Sequence, residues 1–69
     1  MIKLSKEKLS LFKDYLFRNG WDKLESRSEW EESRWIAGDK TVIVYQRKQG
    51  YFTLPDGIAT QLYKEFLNA

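Results

Sequence analysis

The sequence contains neither cysteine nor histidine, and its 69 residues include a single proline and four glycines. Without cysteine the chain can form no disulfide and no cysteine-ligated zinc site. The missing histidine also excludes the Ser-His-Asp and Cys-His arrangements of nucleophilic catalysis and histidine-ligated metal sites. The composition therefore predicts a protein that is not an enzyme and that requires no metal or other cofactor.

Long apolar runs are missing as well. No stretch approaches the ~20 apolar residues that span a bilayer, and the N-terminus lacks the apolar core of a signal peptide. No linker or low-complexity segment divides the chain. We therefore expect one domain over residues 1–69, in the cytoplasm and without a membrane partner.

The residues that are present favour a folded domain, because 42% are hydrophobic and 16% are aromatic. The net charge of +2 is too small to indicate nucleic-acid binding by itself. Basic residues dominate segments 1–20 and 40–50, whereas acidic residues dominate segment 21–39. Two basic zones thus flank an acidic one.

A helix is predicted near the N-terminus, with Ser5 as its N-cap and Gly20 as its stop signal. Apolar residues at helical spacing form a stripe along it: Leu4, Leu9, Leu11, Phe12, Tyr15 and Leu16. Phe17 falls outside that stripe, among polar residues. We expect Trp21 or a later segment to cover this ring, the alternative being an exposed surface aromatic.

The clearest pattern is a β-hairpin formed by residues 33–37 and 40–47, joined by Gly38-Asp39. Glycine at the first central position indicates a type II′ turn. The β-branched and aromatic run over residues 41–45 is typical of a central strand.

A second turn at Gln49-Gly50 leads into a short third strand, residues 51–54, which Pro55 ends. Asp56 is predicted to cap a closing helix. The apolar face of that helix consists of Ile58, Ala59, Leu62, Tyr63 and Phe66. The predicted fold is α+β with the order α-β-β-β-α, a three-stranded antiparallel meander covered on one face by two helices.

This order of elements is similar to that of double-stranded-RNA-binding domains and of HicA-type mRNA-cleaving toxins. The closing helix here opens with Pro55-Asp56-Gly57 instead of the lysine cluster that grips phosphates in the RNA binders. The catalytic histidine of the toxins has no counterpart. The resemblance concerns topology and carries neither activity to this chain.

The segment ESRSEWEESRW, residues 25–35, holds two of the three tryptophans. Extending the hairpin register backwards places Trp35 opposite Val42 and Glu32 opposite Tyr45. Alternation then sends the rings of Trp35 and Trp30 to opposite faces. We expect Trp35 to pack beneath the helices, a burial that stabilises by about 2–3 kcal/mol. A helix over residues 28–35 is the alternative, because Ser28-x-x-Glu31 resembles a capping box.

An exposed tryptophan and tyrosine framed by arginine is the composition of a protein-binding hot spot. The predicted partner-binding residues are Trp30, Glu32, Arg34, Tyr45 and Arg47. They predict a small protein-interaction module that acts as an adaptor, inhibitor or regulator, of the kind that phages and mobile elements carry. Homo-oligomerisation through the same face is an alternative, and so is a Trp30 ring that merely covers the sheet edge.

Nucleic-acid binding is the alternative function, with aromatic rings stacking on bases and cations meeting phosphates. The residues that would serve it lie in the first helix and around the second turn: Lys6, Lys13, Arg47, Lys48 and Tyr51. The structural alternative is a solvated loop at residues 47–50. A third hypothesis, a carboxylate enzyme, rests on Glu29 and Glu31, which share one face of a strand and could hold Mg²⁺.

Overall fold

A computed structural model describes all residues of the chain, Met1–Ala69, and shows two helices packed on one antiparallel sheet. The elements in chain order are β1 (Ile2–Leu4), α1 (Lys6–Arg18), β2 (Asp22–Leu24), β3 (Glu31–Ala37), β4 (Lys40–Gln46), β5 (Phe52–Leu54) and α2 (Ile58–Leu67). The strands lie in the order β1-β5-β4-β3-β2. Neither helix is long and apolar enough to cross a membrane.

The predicted fold class, a small α+β domain with both helices on one face of the sheet, is confirmed. Strands β3, β4 and β5 form the predicted meander. Two short strands extend it, β1 beside β5 and β2 beside β3, which makes the sheet five-stranded. Both additions are three-residue edge strands, too short to show a periodicity in the sequence.

Helix α1 has the predicted boundaries. Ser5 is its N-cap and accepts a hydrogen bond from the backbone N–H of Lys8 at 3.2 Å. At the other end, Gly20 has φ +85° and the Trp21 N–H donates to the Leu16 carbonyl at 3.0 Å. This is a Schellman motif, in which glycine adopts the left-handed conformation without steric cost. It turns the chain so that Trp21 enters the core, where it is buried.

The β3–β4 hairpin forms at the predicted turn. Gly38 has φ +63°, and no residue other than glycine has a positive φ, which agrees with type II′ and excludes type I′. The predicted register is confirmed from Ala37 opposite Lys40 back to Ser33 opposite Val44. Beyond Ser33 the prediction is wrong, because Glu31, not Glu32, lies opposite Tyr45. A β-bulge at this point leaves Glu32 without a partner on β4.

The start of helix α2 also differs from the prediction. Its N-cap is Gly57, with φ +104°, and no side chain caps the helix. Asp56 instead accepts a hydrogen bond from the amino group of Met1. The Thr60 hydroxyl donates to the Pro55 carbonyl at 3.0 Å. Asp56 therefore precedes the N-cap by one residue, and its carboxylate is paired with the N-terminal amino group instead of the helix backbone.

The core lies between the sheet and the two helices. Trp35, Val42 and Val44 are buried in it, as predicted, and the Trp35 indole N–H donates to the Ser33 hydroxyl at 3.0 Å. The other buried apolar residues are Leu4, Leu9, Phe12, Leu16, Trp21, Leu54 and Ala59. The prediction that Phe17 is covered is wrong: the residue is 73% exposed, since Trp21 packs in the core instead of over it.

Trp30 and Trp35, the two tryptophans of residues 25–35, form a matched pair for testing this fold. Trp35→Ala should lower the free energy of unfolding by about 3–5 kcal/mol, because it empties a buried site. Trp30→Ala should cost less than about 1 kcal/mol, since that residue is half exposed. Urea denaturation followed by circular dichroism measures both. Equal losses in the two variants would contradict the placement of Trp35 in the core and Trp30 at the surface.

Candidate partner-binding surface

One face of the sheet carries no helix, and we refer to it as the outer face. Strand alternation places the following side chains on it: Lys3, Asp22, Leu24, Arg34, Ile36, Thr41, Ile43, Tyr45 and Thr53. Arg34, Ile36, Ile43 and Tyr45 are all partly exposed. The face thus combines aliphatic, aromatic and charged groups at the solvent boundary.

The β-bulge places Glu31 on the outer face beside Arg34. The Arg34 Nε donates to Glu31 Oε1 at 2.5 Å, and the two side chains are only 17% and 8% exposed. The hydrogen bond from Arg34 is the main cause that lowers the pKa of Glu31 below its ordinary value, helped by the backbone N–H of Arg27. Glu31 and Arg34 therefore form a fixed ion pair on the outer face, and the charge of Arg34 is already matched.

The side chain of Glu32 lies on the face of the sheet opposite to that of Glu31. Its Oε2 accepts a hydrogen bond from Lys13 Nζ of α1 at 2.8 Å, which puts the carboxylate on the helix-covered side of the sheet. Burial works against ionisation of Glu32, but the hydrogen bond from Lys13 and the charge of Lys23 outweigh it and lower its pKa. The expectation that Glu32 shares the outer face with Arg34 and Tyr45 is corrected by this contact. The side chain instead connects the sheet to a helix.

Trp30 lies at the end of the sheet, beside the turn between β4 and β5. Its carbonyl accepts a hydrogen bond from the Gln46 N–H at 2.7 Å, a position that Glu31 would hold without the bulge. The residue is 47% exposed. Together with Glu29, Gln46, Arg47 and Lys48 it lines a shallow surface depression. Trp30 is therefore exposed at the sheet end instead of lying in the row of Arg34 and Tyr45.

At this end of the sheet, each of three aromatic rings has a positively charged side chain close to it. Lys3 Nζ lies 4.4 Å from the ring centre of Tyr51, and Lys48 Nζ lies 5.6 Å from that of Trp30. The guanidinium carbon of Arg47 lies 5.6 Å from the ring centre of Tyr45. All three distances are within the range of cation–π attraction. We refer to these six residues as the ring–cation cluster.

Backbone pairing makes the ring–cation cluster contiguous. The Arg47 N–H donates to the Tyr51 carbonyl at 3.0 Å, which joins two of the pairs across the second turn. The Arg47 Nε also donates to the Thr53 hydroxyl at 3.0 Å, and Thr53 is fully buried. Arg47 further lines the depression that contains Trp30. Arg47 thus lies at the centre of the ring–cation cluster.

The predicted binding residues are regrouped by this arrangement. The ring–cation cluster unites Trp30, Tyr45 and Arg47 from the protein-binding set with Lys48 and Tyr51 from the nucleic-acid set. Lys6 and Lys13 lie on α1, away from the outer face, and line a groove with Leu9 and Phe52 instead.

Lys3 was missed by sequence reasoning, because it belongs to a strand that the sequence did not reveal. It lies directly opposite Thr53, across the β1–β5 pair. The alternation Ile2-Lys3-Leu4 was the only available signal, and three residues are too few to establish it.

The acidic residues form no cluster that could act as a metal site. No group of three or more acidic side chains is close enough to hold a metal ion. Glu31, one of the two residues considered for Mg²⁺, is engaged by Arg34.

Comparison with known proteins finds no protein-family model, curated protein or solved structure that matches the chain.

The ion pair between Lys13 and Glu32 predicts a specific acid sensitivity. A carboxylate whose pKa is lowered by folding stabilises the fold above its ordinary value of 4.5, and that stabilisation is lost as the pH falls through the folded-state value. Glu32→Gln should therefore be less stable than the wild type near neutral pH, by about 1 kcal/mol. The two proteins should converge once the pH falls below the lowered, folded-state pKa of Glu32, where its side chain is uncharged like that of glutamine.

Urea unfolding at a series of pH values measures this difference. Glu65→Gln, at an exposed position without an ion pair, is the matched control for removing one carboxylate. A difference between wild type and Glu32→Gln that is constant across the pH range would contradict an ion-pair contribution.

Proposed function

We propose that this protein is a small, non-enzymatic interaction module of the cytoplasm that binds another protein through the outer face and its ring–cation cluster. In this role it acts as an adaptor, inhibitor or regulator. The observation that carries the proposal is an uncovered sheet face on which Tyr45, Ile43 and Ile36 stay partly exposed in a chain with a small core. Contiguous apolar surface rimmed by polar groups is typical of interaction sites.

The composition of this surface supports a protein partner. Tryptophan, tyrosine and arginine are the residues that most often dominate binding energy in protein interfaces. Trp30, Tyr45 and Arg47 provide all three within one connected surface. Their backbones belong to strands or to a hydrogen-bonded strand end, so little conformational entropy is lost on binding.

Homo-oligomerisation is a variant of the same proposal, because a second copy could cover the outer face. Strand β2 supports it as an edge whose three residues are all exposed. Analytical ultracentrifugation of the wild type separates this variant from binding to a different protein.

Single-stranded nucleic acid is the second candidate partner. Three rings with adjacent cations favour it, since rings can stack on bases while cations meet phosphates. The separation of Lys6 and Lys13 from the ring–cation cluster reduces the basic surface available to it.

Two exposed rings at different sites allow a controlled test. Trp30→Ala should abolish most capture of the protein partner from a lysate of the source cells, with a loss of at least about tenfold, as expected for a hot-spot tryptophan. Phe17→Ala removes an exposed ring from α1 and should leave capture unchanged. The measurement is affinity capture with quantitative mass spectrometry.

Nuclease treatment of the lysate provides the second arm. Recovery of the same partners, in the same amounts, by Trp30→Ala and wild type would contradict the proposed surface. Loss of all partners after nuclease treatment would establish the nucleic-acid alternative instead.

A further inference from the structure

The charge of the ring–cation cluster identifies the chemistry of its partner. We propose that the cluster binds an acidic segment of a partner protein, with carboxylates meeting Lys3, Arg47 and Lys48 while apolar side chains of the segment lie on the adjoining Ile43. This inference rests on the proposed function and specifies the partner that the outer face accepts.

The three cations of the cluster are unmatched. The structure contains ion pairs at Met1–Asp56, Lys13–Glu32, Arg18–Asp14 and Arg34–Glu31. None of them involves Lys3, Arg47 or Lys48. Glu29, which lines the depression with Trp30, adds one carboxylate at the margin, so the cluster keeps an excess of positive charge.

The rings hold these cationic side chains in positions where they can pair with carboxylates of a partner. Arg47 is held by its hydrogen bond to Thr53 and by the ring of Tyr45, so its guanidinium is fixed before a partner arrives. A fixed guanidinium loses less entropy on pairing with a carboxylate than a free side chain does. Lys3 and Lys48 are exposed residues whose ammonium groups lie near the rings of Tyr51 and Trp30.

An acidic protein segment fits this surface better than a nucleic-acid strand does. Carboxylates and phosphates would both be attracted to the unmatched cations beside the three rings. The difference lies in the apolar neighbours of the cluster, which a peptide with apolar side chains can cover and a phosphate chain cannot. Next to Tyr45 on the same face lies Ile43, and further along the sheet lies Ile36. These two residues can contact apolar side chains of a peptide.

The test uses an array of short, immobilised peptides of random sequence as the probe and single-stranded oligothymidylate as the competing ligand. The wild type should retain peptides with net negative charge and apolar residues. The triple variant Lys3→Gln, Arg47→Gln, Lys48→Gln should bind these peptides about tenfold more weakly, as three partly exposed charge pairs imply.

The matched control is the triple variant Lys8→Gln, Lys40→Gln, Lys64→Gln, which removes three exposed lysines that make no ion pair. It lowers the net charge equally and should bind within about twofold of the wild type. Because Arg47 covers Thr53, the single variants Lys3→Gln and Lys48→Gln are measured too, and thermal unfolding establishes that each variant is folded.

This inference would be overturned if the wild type retained neutral or basic peptides, or no peptides at all. Equal binding by the two triple variants would overturn it as well. Tighter binding of oligothymidylate than of any peptide, with a steep loss between about 50 and 200 mM salt, would overturn it in favour of nucleic acid. The proposed function fails separately, if Trp30→Ala still captures the cellular partner. Loss of capture by Trp30→Ala combined with retention of neutral peptides would leave that function standing and remove only the acidic segment.

Discussion

The β-bulge at Glu32 is the constraint on which the arrangement of this surface depends. One extra residue in β3 sends the adjacent carboxylates of Glu31 and Glu32 to different partners, Arg34 on the outer face and Lys13 on helix α1. The same shift moves Trp30 from the row of Tyr45 to the sheet end, beside Lys48. Bulges commonly redirect side chains near functional sites, and this one separates the side chains of the consecutive residues Glu31 and Glu32.

One-sided coverage of the sheet follows from the size of the chain. A domain of about 60 residues buries only about 60% of the surface of its unfolded chain, which favours a single layer of helices on a sheet. Here both helices pack on the face of Trp35, Val42 and Val44. The outer face is left to charged and aromatic side chains, whose cation–π and ion-pair contacts limit the apolar area that water meets.

Much of the fold could be predicted from the sequence because its main signals are local. Ser5 and Gly20 mark the ends of α1, and Gly38-Asp39 sets the hairpin turn and most of its register. The bulge could not be predicted in this way, since no turn residue or break in the pattern marks its position between Glu31 and Ser33. Strands β1 and β2 could not be predicted either, because each is defined by its pairing with the edge of the three-stranded meander.

The candidate site was predictable in its parts but not as a whole. The ring and cation types around residues 45–52 indicated a binding surface, yet which cation accompanies which ring depends on tertiary pairing. Lys3 reaches Tyr51 only because β1 lies next to β5. Tertiary contacts can also override a local signal. Asp56 is a residue typical of a helix N-cap, but its carboxylate accepts a hydrogen bond from the amino group of Met1 instead.

The central claim is that the outer face, not the helical side, contacts the partner. Backbone amide chemical-shift mapping by nuclear magnetic resonance, with the captured partner added to the labelled protein, tests it most directly. We expect the largest changes at Ile43, Tyr45, Arg47 and Tyr51, with little change along α1 and α2. Changes concentrated on the exposed sides of the two helices, with the outer face unaffected, would contradict it.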